Sequence, residues 1–198
     1  AAAAEGRDSE LRVDGVLGEG GMGRILVGRQ RSMLREVALK TLKAGAGPSH
    51  AAALVSEGVI SGQLEHPNII PVHLLGRTSD GNPLLVMKRV HGTSWTALLD
   101  EPGHPAWRRL HALSSDRLTA HLEILMQVCQ ALDFAHERDI AHLDVKPDNV
   151  MVGESGDVYL VDWGVAARFD LPGERPLVGT PSYLAPELLD HALPLGPR

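Results

Sequence analysis

The hydrophobic pattern of this chain changes character once, and that change divides what the two halves can fold into. From Leu11 to Val90 the apolar residues come in short runs: Val16-Leu17 before a glycine cluster, Ile25-Leu26-Val27 after it, and Val37-Ala38-Leu39. Ile69 to Gly76 and Leu84 to Val90 then flank the turn Asp80-Gly81-Asn82-Pro83. Runs of this length bounded by Gly, Pro, Asn and Asp read as strands joined by turns. A Pro-, Gly- and Trp-rich stretch from Asp100 to Ser115 follows. Beyond it Leu118, Leu122, Leu125, Cys129 and Leu132 recur at spacings of four and three, one face of an α-helix. The spacing predicts a core helix with that face inward and Cys129 as a small buried hydrophobe. Within the β-rich part a helix is expected over about Ala51 to Leu64, capped by Ser49 and ended by His66-Pro67-Asn68. Its Gly58 and Gly62 each weaken it by up to about 1 kcal/mol, so packing must hold it. The expected class is α+β: a β-rich lobe with one main helix, then a helical lobe.

Composition narrows the function classes. At 198 residues, 43% hydrophobic and 22% charged, the chain is long enough to bury a sizeable core and is neither disordered nor fibrous. A net charge of −6, no basic run and only three Trp, two Tyr and two Phe argue against general nucleic-acid binding. The single cysteine, Cys129, excludes an internal disulfide and fits a reducing compartment. No apolar stretch approaches the roughly 18–20 residues that span a bilayer. The first residues, four alanines then Glu5-Gly6-Arg7-Asp8, have neither the basic region nor the apolar core of a signal peptide, and there is no initiator Met. The expectation is a cytoplasmic piece of a longer protein, with any membrane anchor or sensor domain carried outside this chain.

Five short segments carry chemistry. His142-Leu143-Asp144-Val145-Lys146-Pro147-Asp148-Asn149 places a potential base, a cation and a metal-binding amide on one loop; Asp144 can receive a hydroxyl proton, Lys146 can steady a phosphate and Asn149 can hold Mg²⁺. Gly18-Glu19-Gly20-Gly21-Met22-Gly23 lets backbone N–H groups approach phosphates. A glycine turn or a dinucleotide-binding fingerprint competes for it, but the latter needs a helix, whereas Arg24-Ile25-Leu26-Val27 continues as strand. Lys40 ends a strand-like run, where a solvated edge charge is the ordinary reading; the small Ala38 before it leaves room for a flat base. A phosphate-binding Lys40 needs a counter-charge, and Glu57 on the first helix is the candidate. Asp162-Trp163-Gly164 follows the apolar run Val158 to Val161, which brings a hard carboxylate to a strand end where it can ligate Mg²⁺ or merely make a turn. Gly179-Thr180-Pro181-Ser182-Tyr183-Leu184-Ala185-Pro186-Glu187 has no generic explanation.

Together these segments resemble the protein kinases of the Hanks type, and more narrowly the bacterial Ser/Thr kinases. The glycine loop, Val-Ala-x-Lys, helix Glu, catalytic loop, Asp-x-Gly and Ala-Pro-Glu each occur once and in family order, over about Val13 to Leu189. The resemblance implies a two-lobed fold: a linker over 1–10, an N-lobe over 11–87 with a five-stranded sheet, a hinge over 88–92 and an incomplete C-lobe over 93–198, with ATP between the lobes. It implies that Gly18, Gly20 and Gly23 cover the phosphates and that Lys40 pairs with Glu57. Leu17, Ile25, Ala38 and Met151 would sandwich adenine, Met87 would be the gatekeeper, and Lys88 to Val90 the hinge. Asp144 would orient or deprotonate the attacking hydroxyl, while Asn149 and Asp162 hold Mg²⁺. Lys146 and Thr180 match the Ser/Thr pattern, so the implied partners are ATP and a protein substrate presenting Ser or Thr.

The chain departs from the family pattern at three places. Leu143 stands where many members carry an Arg that grips an activation-loop phosphate, and no Ser, Thr or Tyr lies between Gly164 and Thr180. The expectation is a kinase not switched by phosphorylation in that loop. Trp163 replaces the usual Phe and brings an N–H that wants a partner when buried, a change expected to be tolerated. The chain also stops eleven residues after Glu187, where the family continues with further helices that supply an Arg partner for that Glu. Weak activity or poor solubility of this piece is therefore expected, with the helix face of Leu122 and Leu125 left exposed. Two other classes compete: a pseudokinase or scaffold that binds ATP without transferring phosphate, and a small-molecule kinase. Retention of Lys40, Asp144, Asn149 and Asp162 speaks against the first, Thr180-Pro181 and Ala-Pro-Glu against the second.

Overall fold

A computed structural model describes residues 10–20, 23–110, 116–169 and 178–186. The expected terminal linker up to Ser9, Gly21 and Met22 of the glycine loop, and Glu187 with its expected missing partner lie outside the described residues. The chain divides into two compact units. One comprises the residues up to Gln63 together with Pro71–Arg89; the other comprises Leu64–Ile70 together with the residues from Val90 onward. The α+β class expected from the sequence is the one observed.

The first unit is built on five antiparallel strands: β1 (Leu11–Glu19), β2 (Arg24–Gln30), β3 (Arg35–Thr41), β4 (Val72–Arg77) and β5 (Pro83–Lys88). Their order is β1-β2-β3-β5-β4. The β-branched and aliphatic run of β3 puts it at the centre, where Val37 and Leu39 are essentially inaccessible and pack with Leu26 and Val86. A second cluster, Leu42, Leu54 and Leu85, ties the sheet to α1 (Pro48–Gly62), which rests on β4 and β5. Gly58 is the reason α1 can come so close: a Cβ there would stand 3.0 Å from Leu75 Cδ1 and 3.1 Å from Leu85 Cδ1. Ser49 does not cap this helix. Gly47 is the N-cap, without a side-chain bond, and Pro48 occupies the first turn, where its fixed φ and missing N–H suit a helix start. The helix therefore begins one residue before Ser49.

In the second unit, β6 (Gly92–Ser94) leads into the short helices α2 (Trp95–Asp100) and α3 (Trp107–Leu110) and the long helix α4 (Arg117–His136). Asp116 caps α4 through a bond from Thr119 N–H at 3.0 Å. Four short strands follow, β7 (Ile140–Ala141), β8 (Val150–Gly153), β9 (Val158–Leu160) and β10 (Ala167–Arg168). They form the sheets β6-β8-β9 and β10-β7.

Helix α4 is where expectation fails. Its buried residues are Ala120, Ile124, Val128, Ala131 and Ala135, whereas Leu118 is 68% and Leu122 51% exposed, and Leu125 and Cys129 are also exposed. The helix packs on β7 and β9, and an alanine-rich stripe lets its backbone lie close against those strands in a way leucines do not. The helix has two apolar arcs, and the sequence reading selected the bulkier one. Exposure of Leu122 and Leu125, expected on other grounds, is observed. Among the described residues no helix is long and apolar enough to cross a membrane.

Candidate active site

In the first unit the register places Lys40 opposite Ile25 on β2 and Leu85 on β5, near the end of the central strand. Its ammonium reaches Glu57 of α1 with Nζ 2.7 Å from Oε1 and 2.8 Å from Oε2. Both side chains are largely buried, at 14% and 6% exposed. A solvated strand lysine and a solvated helix glutamate would not hold this geometry, and a buried pair persists only when each charge answers the other. Ala38 faces Met87 across the β3–β5 ladder, and both are buried. Leu17 and Gly18 lie near the end of β1, Lys88 ends β5, and Val90, half-buried, opens the longer segment of the second unit.

The glycine loop is closed by a bond from Gly20 N–H to Gly23 O at 2.9 Å. A Cβ on Gly23 would collide with Thr41 O, so the strand geometry itself demands glycine there. At Gly18 and Gly20 a Cβ would meet nothing within 4 Å. Those two glycines leave open space in front of the backbone.

In the second unit a single polar cluster gathers four of the expected residues. Thr180 donates its hydroxyl to Asp144 Oδ1 at 2.7 Å, and Lys146 Nζ donates to Thr180 Oγ1 at 2.6 Å. Lys146 also lies 2.9 Å from Asp144 Oδ2. Asn149, buried in the 3-10 turn Pro147–Asn149, donates to the Asp144 carbonyl at 2.8 Å and to Oδ2 at 3.0 Å. Burial by itself would raise the Asp144 pKa. The bonds from Lys146 and Thr180, the Lys146 charge and the bond from Asn149 outweigh it and hold the carboxyl below its ordinary range.

Asp162 follows β9 by two residues. Val161 N–H donates to Asn149 O at 2.9 Å, and Val150 of β8 pairs with Leu160, so the backbone ties the Asn149 and Asp162 segments together. Met151 is the next residue on β8, half-buried. Asp162 and Leu143 both adopt left-handed backbone, at φ 61° and 63°. Non-glycine residues held there cost of order 1–3 kcal/mol each and gather at working sites.

His142 contributes something the sequence did not announce. It is 1% exposed, and its ring stands 4.6 Å from that of Trp163. Its Nδ1 accepts the Asp144 N–H at 3.3 Å, which leaves Nε2–H to donate to Val161 O at 3.1 Å. One neutral imidazole thus holds the backbone at Asp144 and the residue preceding Asp162. Burial is the main cause that pushes its pKa down. Asn68 was likewise read only as a helix end. It is buried and donates to Gln127 Oε1 at 2.9 Å and Val158 O at 3.0 Å, fastening its segment to α4 and β9. Its signal was a polar residue directly before the apolar pair Ile69-Ile70. Trp163 is 1% exposed, and its Nε1 has no hydrogen-bond partner among the described residues.

Comparison with known proteins gives the same direction. Residues 11–196 match the family model described as the protein kinase domain. Over 177 residues the chain is 35% identical to the serine/threonine-protein kinase PknD of Mycobacterium tuberculosis, covering 87% of this chain and 25% of that protein. It is 32% identical over 182 residues to PknB of Mycolicibacterium smegmatis, covering 87% of this chain and 27% of that one. Identity to PknF of Mycobacterium tuberculosis is 36% over 183 residues, with 87% and 36% covered. The chain therefore spans about a quarter to a third of the length of these curated relatives.

Proposed function

We propose, for a chain that belongs to the protein kinase family, that it transfers the γ-phosphoryl group of ATP to Ser or Thr hydroxyls of protein substrates. The observation that carries this reading is the Thr180 hydroxyl donating to Asp144 at 2.7 Å beside Lys146. A side-chain hydroxyl of the substrate's own chemical type is recognised there by a carboxylate and an ammonium. In catalysis Asp144 accepts the substrate hydroxyl and orients it. Its lowered pKa makes it a weak proton acceptor, which suits a loose transition state in which the hydroxyl proton leaves late. Lys146 steadies the transferring phosphate. Lys40, held by Glu57, meets the α- and β-phosphates, under Gly18, Gly20 and Gly23. In the first unit Leu17, Ile25 and Ala38 meet adenine, with Met87 and Lys88 at its edge.

The donor set fits Mg²⁺. The Asn149 NH₂ is committed to Asp144, which leaves its amide oxygen as the atom to offer a cation. No group of three or more His, Cys, Asp or Glu able to hold a metal occurs among the described residues. Mg²⁺ characteristically keeps several waters and takes one or two protein oxygens plus phosphates. Asn149 and Asp162 would hold it, and when bound it neutralises charge on the β- and γ-phosphates. The lone cysteine supports a cytoplasmic setting.

Single-turnover transfer of labelled γ-phosphate to a Ser/Thr-containing protein tests this. Asp144→Asn is expected to slow transfer by roughly 10²–10⁴-fold with ATP affinity kept. Nucleotide binding without transfer to protein by the unaltered chain would establish the pseudokinase instead. Transfer to aminoglycosides or small alcohols but not to protein would establish the small-molecule kinase.

A further inference from the structure

The second unit holds a cavity of about 220 Å³ between the paired strands β6 and β8 and the segment that leads into α3. None of the residues of the Asp144 cluster lines it. Its walls are fixed by the backbone. His104 N–H donates to Glu101 O and Trp107 N–H to His104 O, both at 3.0 Å, and Leu110 N–H donates to Ala106 O at 3.1 Å. Trp107 and Leu110 are buried, which seats this segment on the unit. On the other side Glu154 N–H donates to His91 O at 2.8 Å, tying the residue after β8 to the residue before β6.

Thr93, His104, Arg109 and Glu154 bring polar groups to this space. The His104 Nδ1 accepts Ala106 N–H at 3.2 Å, so in the neutral ring the proton sits on Nε2, 3.5 Å from Thr93 Oγ1. At that length the two groups hold each other only weakly, and each can serve a third. Arg109 Nη1 lies 2.8 Å from Glu154 Oε1, with the side chains 60% and 59% exposed. An ion pair this wet contributes little to the fold, so its members can turn to a ligand at small cost. The apolar side chains in the lining are aliphatic, with Leu110 and Val152 the largest of them.

A lone anion entering the cavity meets the Glu154 carboxylate, and a lone cation meets the Arg109 guanidinium. A molecule that carries both charges on one carbon answers both, and an aliphatic tail answers the apolar wall. Pockets for drug-sized ligands span roughly 300–1,000 Å³, so this one suits something smaller. We propose that the cavity is a binding site for a free aliphatic α-amino acid. Its carboxylate meets Arg109 and the His104 Nε2–H, its ammonium meets Glu154 and Thr93 Oγ1, and its side chain lies against Leu110 and Val152. The site is independent of the phosphotransfer reading.

Isothermal titration of the 198-residue chain with L-leucine tests the proposal, beside isocaproate, which lacks the ammonium, and isoamylamine, which lacks the carboxylate. Saturable binding of L-leucine is expected, with the thermal midpoint rising as its concentration rises. Each singly charged analogue is expected to bind roughly 10–100-fold more weakly. Arg109→Gln and Glu154→Gln should each weaken L-leucine binding by a similar factor, with the ligand-free thermal midpoint unchanged. Arg108→Gln, an exposed neighbour on α3 outside the lining, should leave binding as it is. Absence of saturable L-leucine binding overturns the proposal. Equal binding of either analogue also overturns it, because recognition would then not need both charges, and this comparison requires no variant. Binding that survives both Gln changes places the ligand elsewhere and overturns it too.

Discussion

Thr180 and Asp144 are joined by a hydroxyl-to-carboxylate bond of 2.7 Å across thirty-six positions of sequence, in a cluster that Lys146 completes. The segment around Thr180 thus rests on the Asp144 loop through a neutral side chain. Thr180→Ser should retain transfer, because the donor and acceptor oxygen survives. Thr180→Val removes it, and a bond to a charged group is worth about 1.5–3 kcal/mol. The expected outcome is roughly a 10–100-fold fall in single-turnover rate with ATP affinity unchanged. Phosphopeptide mapping adds a separate check on the absence of a phosphorylation switch: modification of Thr180 or Ser182 with activity rising in step would remove that idea.

Lys40 and Glu57 should be far more sensitive to single than to double replacement. Lys40→Met leaves the Glu57 carboxylate buried and unanswered, a loss of about 3–5 kcal/mol. Lys40→Met with Glu57→Leu should recover most of that stability while phosphotransfer stays absent. Urea unfolding of the two variants and the unaltered chain reads the difference.

Acid should loosen the fold through histidine. His142 is held below the ordinary imidazole value of 6.5 by burial, and His66, His73, His121 and His136 are shifted the same way, each with burial first among the causes. With the folded pKa depressed, the unfolded chain takes up protons first. Stability is therefore complete above pH about 6.5 and falls as pH drops below it, by at most about 1.4 kcal/mol per pH unit for each proton. Protonation of His142 also removes the acceptor for Asp144 N–H. Thermal midpoints measured downward from neutral pH should show the decline, and His142→Gln should flatten it.

The two arcs of α4 should respond in opposite ways. Leu122→Ser, on the exposed arc, should change stability by no more than about 0.5 kcal/mol. Ala131→Leu forces extra carbons into a position with no accessible surface and should destabilise by about 1–3 kcal/mol. Equilibrium unfolding of the two variants decides it, and equal effects would mean that the packing stripe is misassigned.

Asp144, Lys146 and Asn149 were legible because six residues of loop contain all three, so spacing alone gathers them. Lys40 and Glu57 were legible for a different reason: a buried cation requires a counter-charge, and the first helix of the chain offered one. The inward face of α4 was not legible. A helical period identifies apolar arcs but cannot say which arc meets the strands, and here contact favoured the smaller side chains. Cys129 was misplaced with the leucines of its arc. Ser49 was misread because Pro48 can start a helix before any side-chain cap acts. The role of His142 depends on which nitrogen faces which backbone group, and neither neighbour is fixed by sequence distance.

Gly179 combines a left-handed backbone with a close approach to a neighbouring stretch of chain. At φ 109° its Cα hydrogen points where a Cβ would stand 2.5 Å from the Leu143 carbonyl oxygen and 3.7 Å from Asp144 Oδ1. Every other genetically encoded residue carries that carbon, so no conservative exchange exists at this position. A gene encoding this site can drift freely through the outer leucines of α4, yet at codon 179 heredity has only two outcomes, retention or loss of the seated loop.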